Sequence, residues 1–364
     1  MSHQLISVPI IKPVDALCNL SCSYCYVSGL RDCNVKNRMQ PEILKAVIDF
    51  FCHDQDDVEF IWHGGEPLLA GLCFYQKAVE LQYVWRQKGK RIENFIQTNA
   101  TLLTTEWIRL FAGNNFLVGV SLDGPKEFHD QVRRYSDKKG SYDDVMEGIN
   151  LLRNEGIFNG VICGISAINH EFPREIFNFF LEKGMKKLKF ARVKDTGDCG
   201  DVSSLAISPT QYTDFMIAIF DLWLEADDQE VEIRDIQSVV DLMLGGNKRE
   251  CIYTGQCGRF ATIYSDGSIY GCDSFSKTDA VYFGSILDEP AIVRSNSNLR
   301  IFQETIRKRR SYCHNCNWHF ICKGGCASDG YERLDSIEPL DDACKNRKRY
   351  FEHISTKIRS YGLM

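Results

Sequence analysis

Three cysteines stand at C-x3-C-x2-C in CNLSCSYC (Cys18, Cys22 and Cys25), just behind the apolar run LISVPIIKP. A structural zinc ion takes four ligands, usually from two cysteine pairs, and nothing nearby in the sequence supplies a fourth. A [4Fe–4S] cluster is normally held by four thiolates, so three would leave one iron open to bind something else. An open iron is a catalytic iron, and the spacing points to redox chemistry on whatever that iron carries. A second concentration of thiols lies towards the other end of the chain. It comprises Cys251, Cys257 and Cys272, then Cys313, Cys316, Cys322 and Cys326 in CHNCNWHFICKGGC, then Cys344. Eight cysteines make two shells of four, with zinc as the alternative for an isolated knuckle. Cys33, Cys52, Cys73, Cys163 and Cys199 are scattered and read as small core residues.

The elements that must position these thiols alternate along the first two-thirds of the chain. Apolar, β-rich runs at 5–12, 58–65, 92–99, 116–124, 160–168 and 186–193 predict strands. Helical patterns fill the gaps at 41–52, 74–87, 105–113, 142–156 and 174–184, with another near 209–225. Six successive βα units with a parallel sheet predict an α/β fold, a partial (β/α)6 barrel with its site at the C-terminal ends of the strands. Beyond the Gly-rich LGGNK the pattern changes to a hairpin, RFATIYSDGSIYGC, and the cysteine cluster. The expected division is a barrel over 1–235, a cysteine-rich domain over 236–347 and a terminal helix over 348–364.

Three of the predicted strand ends carry polar motifs: GGEP at Gly64 to Pro67, QTN at Gln97 to Asn99, SLDGP at Ser121 to Pro125. Singly these are ordinary turn chemistry. In this order behind a C-x3-C-x2-C loop, with aromatic Tyr24 before the third cysteine, they resemble the radical S-adenosylmethionine superfamily over roughly residues 8–200. The resemblance implies that Cys18, Cys22 and Cys25 hold a [4Fe–4S] cluster whose open iron is chelated by S-adenosylmethionine. Reductive cleavage then yields a 5′-deoxyadenosyl radical that takes a substrate hydrogen. It implies that Tyr24, Gly64, Gly65 and Glu66 surround that cofactor, the glycines because they lack a Cβ. Ser121, Asp123, Gln97 and Asn99 are the candidates for its carboxylate and ribose.

The eight later cysteines resemble the SPASM extension, which carries two auxiliary [4Fe–4S] clusters and brings the expected total to three. By that resemblance Cys251, Cys257, Cys272 and Cys326 hold the inner cluster, and Cys313, Cys316, Cys322 and Cys344 the outer one. Proteins of this layout modify peptides, and the anaerobic sulfatase-maturating enzymes, which oxidise Cys or Ser to formylglycine, are similar nearly end to end. Asp273, directly after Cys272, matches the acid proposed there to take a proton. Two departures, Val27 and His63, fall at positions that face substrate in that family, and WHGGEPLLAG around His63 instead resembles peptide maturases, including those that join an aromatic ring to a side-chain carbon. The expected reaction is therefore a carbon–carbon crosslink in a ribosomally made peptide, with formylglycine formation as the alternative. A non-catalytic iron–sulfur electron carrier is a third reading, against which stands the open iron that a carrier does not need.

A net charge of −6 argues against a nucleic-acid partner. Basic runs at Arg307 to Arg310 and Lys345 to Arg349 read as solvated helix faces, or as a dock for a flavodoxin- or ferredoxin-type electron donor. No run is long and apolar enough for a membrane span, and no signal peptide opens the chain, so a cytoplasmic location is expected, where cysteines stay reduced. Only seventeen residues precede Cys18, too few for a leader-binding domain. The acidic loop KDTGDCGDVSS (194–204) is the expected place for a peptide to enter.

Overall fold

The computed structural model describes residues 6–27, 38–195, 204–246, 250–255, 257–275, 277–331 and 333–362. Cys33, Cys199 and most of the 194–204 loop lie outside the described residues. Six strands run parallel in sequence order: β1 Val8–Ile11, β2 Asp57–Trp62, β3 Arg91–Thr98, β4 Phe116–Ser121, β5 Phe158–Ile165 and β6 Lys187–Arg192, followed by the short β7 Glu232–Ile233. The helices between them are α1 Pro41–His53, α2 Leu72–Arg86, α3 Thr105–Ala112, α4 Lys126–Val132, α5 Tyr142–Asn154, α6 Pro173–Glu182 and α7 Pro209–Ala226. The six predicted strands are all present, as the partial barrel requires.

The reason lies in the burial periods. In β3 alternate residues are buried through Thr98, the period of two of a strand with one apolar face. In α1 the buried Leu44, Val47, Ile48 and Phe51 follow the three-and-four spacing of a helix stripe laid on the sheet. Aromatic rings fill the space between sheet and helices. Trp62 lies 5.4 Å from Tyr75, Tyr75 lies 5.9 Å from Phe111, and Phe111 stacks at 4.9 Å on Phe116. Their polar handles are satisfied: the Trp62 indole N–H donates to Asn94 at 2.9 Å, the Tyr75 hydroxyl donates to the Pro67 carbonyl at 3.1 Å, and Asn94 and Gln82 satisfy each other's amides.

The later part of the chain is built from α8 Arg234–Met243, α9 Cys251–Thr254, β8 Phe260–Ile263, β9 Ser268–Tyr270, β10 Tyr282–Ser285, α10 Pro290–Arg294, α11 Ser297–Tyr312, α12 His319–Cys322 and α13 Asp341–Ser360. The predicted hairpin is β8–β9, antiparallel, with β10 added beyond it. β8 pairs in parallel with β1, giving among the described residues one sheet of ten strands in the order β10-β9-β8-β1-β2-β3-β4-β5-β6-β7. The helix α13 returns to the barrel and packs on α7, where His353 Nε2 meets Asp221 at 2.8 Å and Phe220. Of the scattered cysteines, Cys52 and Cys163 are buried as expected, but Cys73 is exposed: it sits on the outer face of α2.

Candidate active site

The three-cysteine loop follows β1 directly and is braced from two sides. On one side Ser21 N–H donates to the Arg134 carbonyl at 2.6 Å, just past α4, and Ser23 N–H to that of Val132, the last residue of α4, at 2.9 Å. On the other side the turn after β2 lies against residues 15–17. Gly65 N–H donates to the Asp15 carbonyl at 2.8 Å and Glu66 N–H to that of Leu17 at 2.7 Å. A Cβ on Gly65 would fall 2.0 Å from the Leu17 carbonyl oxygen, and Gly64, at φ +120°, could not take one without strain. The close approach that these glycines permit is therefore to the backbone leading into Cys18. Gly65→Ala is expected to cost about 2 kcal/mol or more through overpacking and to lower the iron bound at the first loop. Denaturant midpoints and iron per chain, both equal to wild type, would reject that role.

Glu66 is fully buried and spends its carboxylate on the protein. Oε1 accepts from Leu68 N–H at 3.1 Å and Thr98 Oγ1 at 2.7 Å, and Oε2 from Asn99 N–H at 2.8 Å. Burial pushes its pKa up to about 7 against those three bonds. It ties the end of β2 to the end of β3 and so aims Asn99, whose amide donates to Asn19 Oδ1 at 2.9 Å and to Cys18 Sγ at 3.7 Å. Asp123 is likewise fully buried. It accepts from Gly164 N–H at 2.8 Å and Arg133 Nε at 2.8 Å, and from the Tyr24 hydroxyl. Tyr24 thus tethers the cysteine loop to the end of β4, beneath the Arg133 guanidinium. Gln97 donates to Ser121 Oγ at 3.0 Å, and both are half-buried at the strand ends. Gln97, Asn99 and Ser121 stand at the mouth, while Glu66 and Asp123 hold that mouth in shape.

Val27 is buried in the core and Tyr26 takes the exposed place beside it. The Tyr26 hydroxyl donates to Asp273 Oδ2, and Lys12, at the end of β1 and almost wholly buried, pairs with Asp273 Oδ1. His63 Nδ1 lies 3.4 Å from Asp273 Oδ2. Burial alone would raise the Asp273 pKa, but Lys12, His63 and Tyr26 outweigh it and hold the acid at about 2. Burial lowers the pKa of His63, Asp273 opposing and Lys12 adding to the shift. Sequence reasoning missed Lys12, Tyr26 and Arg133. Lys12 carried one signal, a cation closing an apolar strand just before the cysteine loop.

The described thiols sort into three sets by which of them act on one another. Burial pushes Cys22 up to about 12, Arg133 opposing and Cys18 and Cys25 adding. Burial likewise raises Cys251 to about 11 with Cys326 next, Cys257 to about 12 with Cys326 and Cys251 next, and Cys272 well above the ordinary thiol value with Cys257, Cys326 and Cys251. Cys313 is raised by burial and then by Cys322, Cys344 and Cys316. Among the described residues no three donors converge on a single-ion site, which would need sulfurs within about 4 Å at a metal–sulfur distance near 2.3 Å. The donor chemistry fits polynuclear iron–sulfur groups. It is all thiol, with N–H donors aimed at sulfur from Asn99 and Leu20 at Cys18 and from Arg347 at Cys322, at 3.7, 3.4 and 3.7 Å.

Buried Arg309 fixes the segment after Cys326. Its guanidinium donates to the carbonyls of Ala327, Arg333, Leu334 and Ser336 at 2.7–3.2 Å and stacks 3.6 Å from the centre of the Tyr331 ring. Lysine cannot span that fork, so Arg309→Lys is expected to cost about 3 kcal/mol by stranding buried carbonyls. Urea denaturation and faster proteolysis within 327–336 check it.

Residues 16–180 match the Radical SAM superfamily. The serine-type anaerobic sulfatase-maturating enzyme of Bacteroides thetaiotaomicron is 34% identical over 95% of this chain and 89% of its own length. The cysteine-type enzyme of Clostridium perfringens is 31% identical over 96% of each. The solved structure of native anSMEcpe with bound AdoMet superposes with a TM-score of 0.87 at 30% identity, covering 97% of this chain and 98% of that one. These likenesses overturn the expected carbon–carbon crosslink, because relatives that align almost end to end are sulfatase-maturating enzymes. The structure supplies a physical reason for the error at Val27. That residue faces the core, and the neighbouring Tyr26 brings a hydroxyl to Asp273 in its stead. Among the described residues no helix is long and apolar enough to cross a membrane.

Proposed function

Because this chain belongs to the anaerobic sulfatase-maturating family of radical S-adenosylmethionine enzymes, we propose that it oxidises a cysteine or serine side chain of a sulfatase-type peptide to formylglycine. One observation carries the reading: the 34% identity spans 95% of the chain rather than the radical domain alone. Cys18, Cys22 and Cys25 would hold the [4Fe–4S] cluster that binds S-adenosylmethionine. Cys251, Cys257, Cys272 and Cys326 would hold an inner auxiliary cluster, and Cys313, Cys316, Cys322 and Cys344 an outer one, three clusters in all. When bound, these groups supply a 5′-deoxyadenosyl radical on one-electron reduction and an acceptor for the electron left on the substrate.

The chain's own residues then have distinct tasks. Gln97, Asn99 and Ser121 offer polar atoms to the cofactor at the strand ends. Gly64, Gly65, Glu66, Tyr24 and Asp123 keep the cysteine loop and those ends in register. Asp273, with Lys12 and Tyr26, fixes a negative charge where a substrate proton must leave. A flavodoxin- or ferredoxin-type protein is the electron donor this scheme calls for.

The test is anaerobic incubation of the reconstituted protein with S-adenosylmethionine, dithionite and peptides carrying Cys-x-Pro-x-Arg or its serine counterpart. An aldehyde trapped by a hydrazide supports the reading. Loss of two hydrogens with no trappable aldehyde, or an unchanged peptide beside free 5′-deoxyadenosine, defeats it.

A further inference from the structure

We propose that His63 is the group that receives the substrate's proton, with Asp273 as the positioning residue that orients its ring; this rests on the sulfatase-maturating reading. Three features of the geometry carry it. Asp273 has both oxygens engaged, Oδ1 by Lys12 and Oδ2 by Tyr26, and so is poorly placed to accept a further proton itself. His63 Nδ1 is buried without a hydrogen bond and faces Asp273 Oδ2 across an ion-pair distance of 3.4 Å. Nevertheless 28% of the His63 side chain is exposed, so its open area lies away from Nδ1, at the end of β2 beside the glycine turn. The negative charge of a carboxylate facing Nδ1 favours the proton on that nitrogen and leaves Nε2 as the acceptor.

The groups facing this ring are Asp273 from the β9 end and Lys12 from the β1 end. The hydroxyl of Tyr26 shares Asp273, and the ring of Tyr264 lies against Lys12. Burial keeps the imidazole neutral near pH 7, ready to accept.

The balance is simple. The substrate Cβ gives one hydrogen atom to the deoxyadenosyl radical. Its hydroxyl or thiol proton passes to His63 Nε2, and one electron passes to an iron–sulfur acceptor as the carbon–oxygen or carbon–sulfur bond becomes double. For cysteine, water then replaces sulfur as hydrogen sulfide leaves.

The experiment compares wild type and His63→Ala in the reconstituted holoenzyme on a peptide deuterated at the reacting Cβ. The variant is expected to pass deuterium into 5′-deoxyadenosine with little change, while aldehyde formation falls about 100-fold in kcat at an unaltered peptide KM. Added imidazole should restore part of that rate, and the low-pH fall of the wild-type profile should vanish in the variant. Aldehyde at the wild-type rate overturns the assignment. So does loss of deuterium transfer in the same proportion as aldehyde, which would mean that His63 only shapes the site, and so does a complete lack of imidazole rescue. Absence of aldehyde from wild type on both cysteine and serine peptides defeats the sulfatase-maturating reading itself, and is told apart by that control.

Discussion

Cys18→Ala is expected to abolish cleavage of S-adenosylmethionine while leaving roughly two-thirds of the iron in place, because one four-iron group of three loses a ligand. The loss should be confined. Cys18 lies in a loop, and the strands on either side are held by their own ladders and by an aromatic core that it does not enter. What its removal strands is local: the Asn99 amide and the Leu20 N–H lose their sulfur acceptor, although Asn99 keeps Asn19. The denaturation midpoint of the metal-free chain should therefore move little, while iron per chain drops and 5′-deoxyadenosine falls below detection. Retained cleavage would remove Cys18 from the ligand set. A wild-type protein that relays electrons but never cleaves S-adenosylmethionine would revive the electron-carrier reading.

Asp273→Asn should be the most destabilising exchange in the mouth, costing about 3–5 kcal/mol, since it leaves a buried ammonium without its counter-ion. The Lys12 side chain is only 3% exposed, and without Asp273 it keeps the faces of Tyr26 and Tyr264, at 5.8 and 5.2 Å, and the attraction of the Asp15 carboxylate. Lys12→Met should also destabilise, by stripping Asp273 of the charge that most favours its ionised form. The double variant should be less damaged than the sum, with a coupling of about 1–3 kcal/mol. The pH dependence has a definite sign. Asp273 has a folded pKa of about 2, depressed from 3.8. Its contribution to stability is therefore fully present above the unfolded value and is lost only as pH falls through the folded one. The penalty of Asp273→Asn should be constant between about pH 6 and 8. Urea denaturation at several pH values measures it, and additive single-variant costs would dissolve the proposed pair.

Much of this was legible in the sequence for identifiable reasons. The strands and helices announce themselves by local period, and the cysteine loop and strand-end motifs by spacing. The proton-handling cluster does not, because Tyr26 meets Asp273 across 247 positions and no local pattern encodes that distance. Glu66 and Asp123 look like cofactor contacts in a motif, yet burial turns both inward onto backbone N–H groups. Val27 misled because a motif comparison assigns a position to the mouth, whereas here that side chain is buried and its neighbour Tyr26 reaches Asp273 instead. The short β7 and β10 were missed because two to four residues are too few to show alternation.

The pairing of β1 with both β2 and β8 has a consequence for how the molecule can be made. The strand that emerges among the first must wait for its second neighbour, since Asp15 and the Ser265 turn that clasps it are 250 residues apart. Until then Val8–Ile11 is a bare edge, with unpaired backbone groups and no partner for Lys12. A fragment ending before Phe260 would keep that edge permanently and should stick to its own copies. The radical-forming barrel and the cysteine-rich extension are thus a single folding transaction, and neither can be cut free without exposing the other's unfinished side.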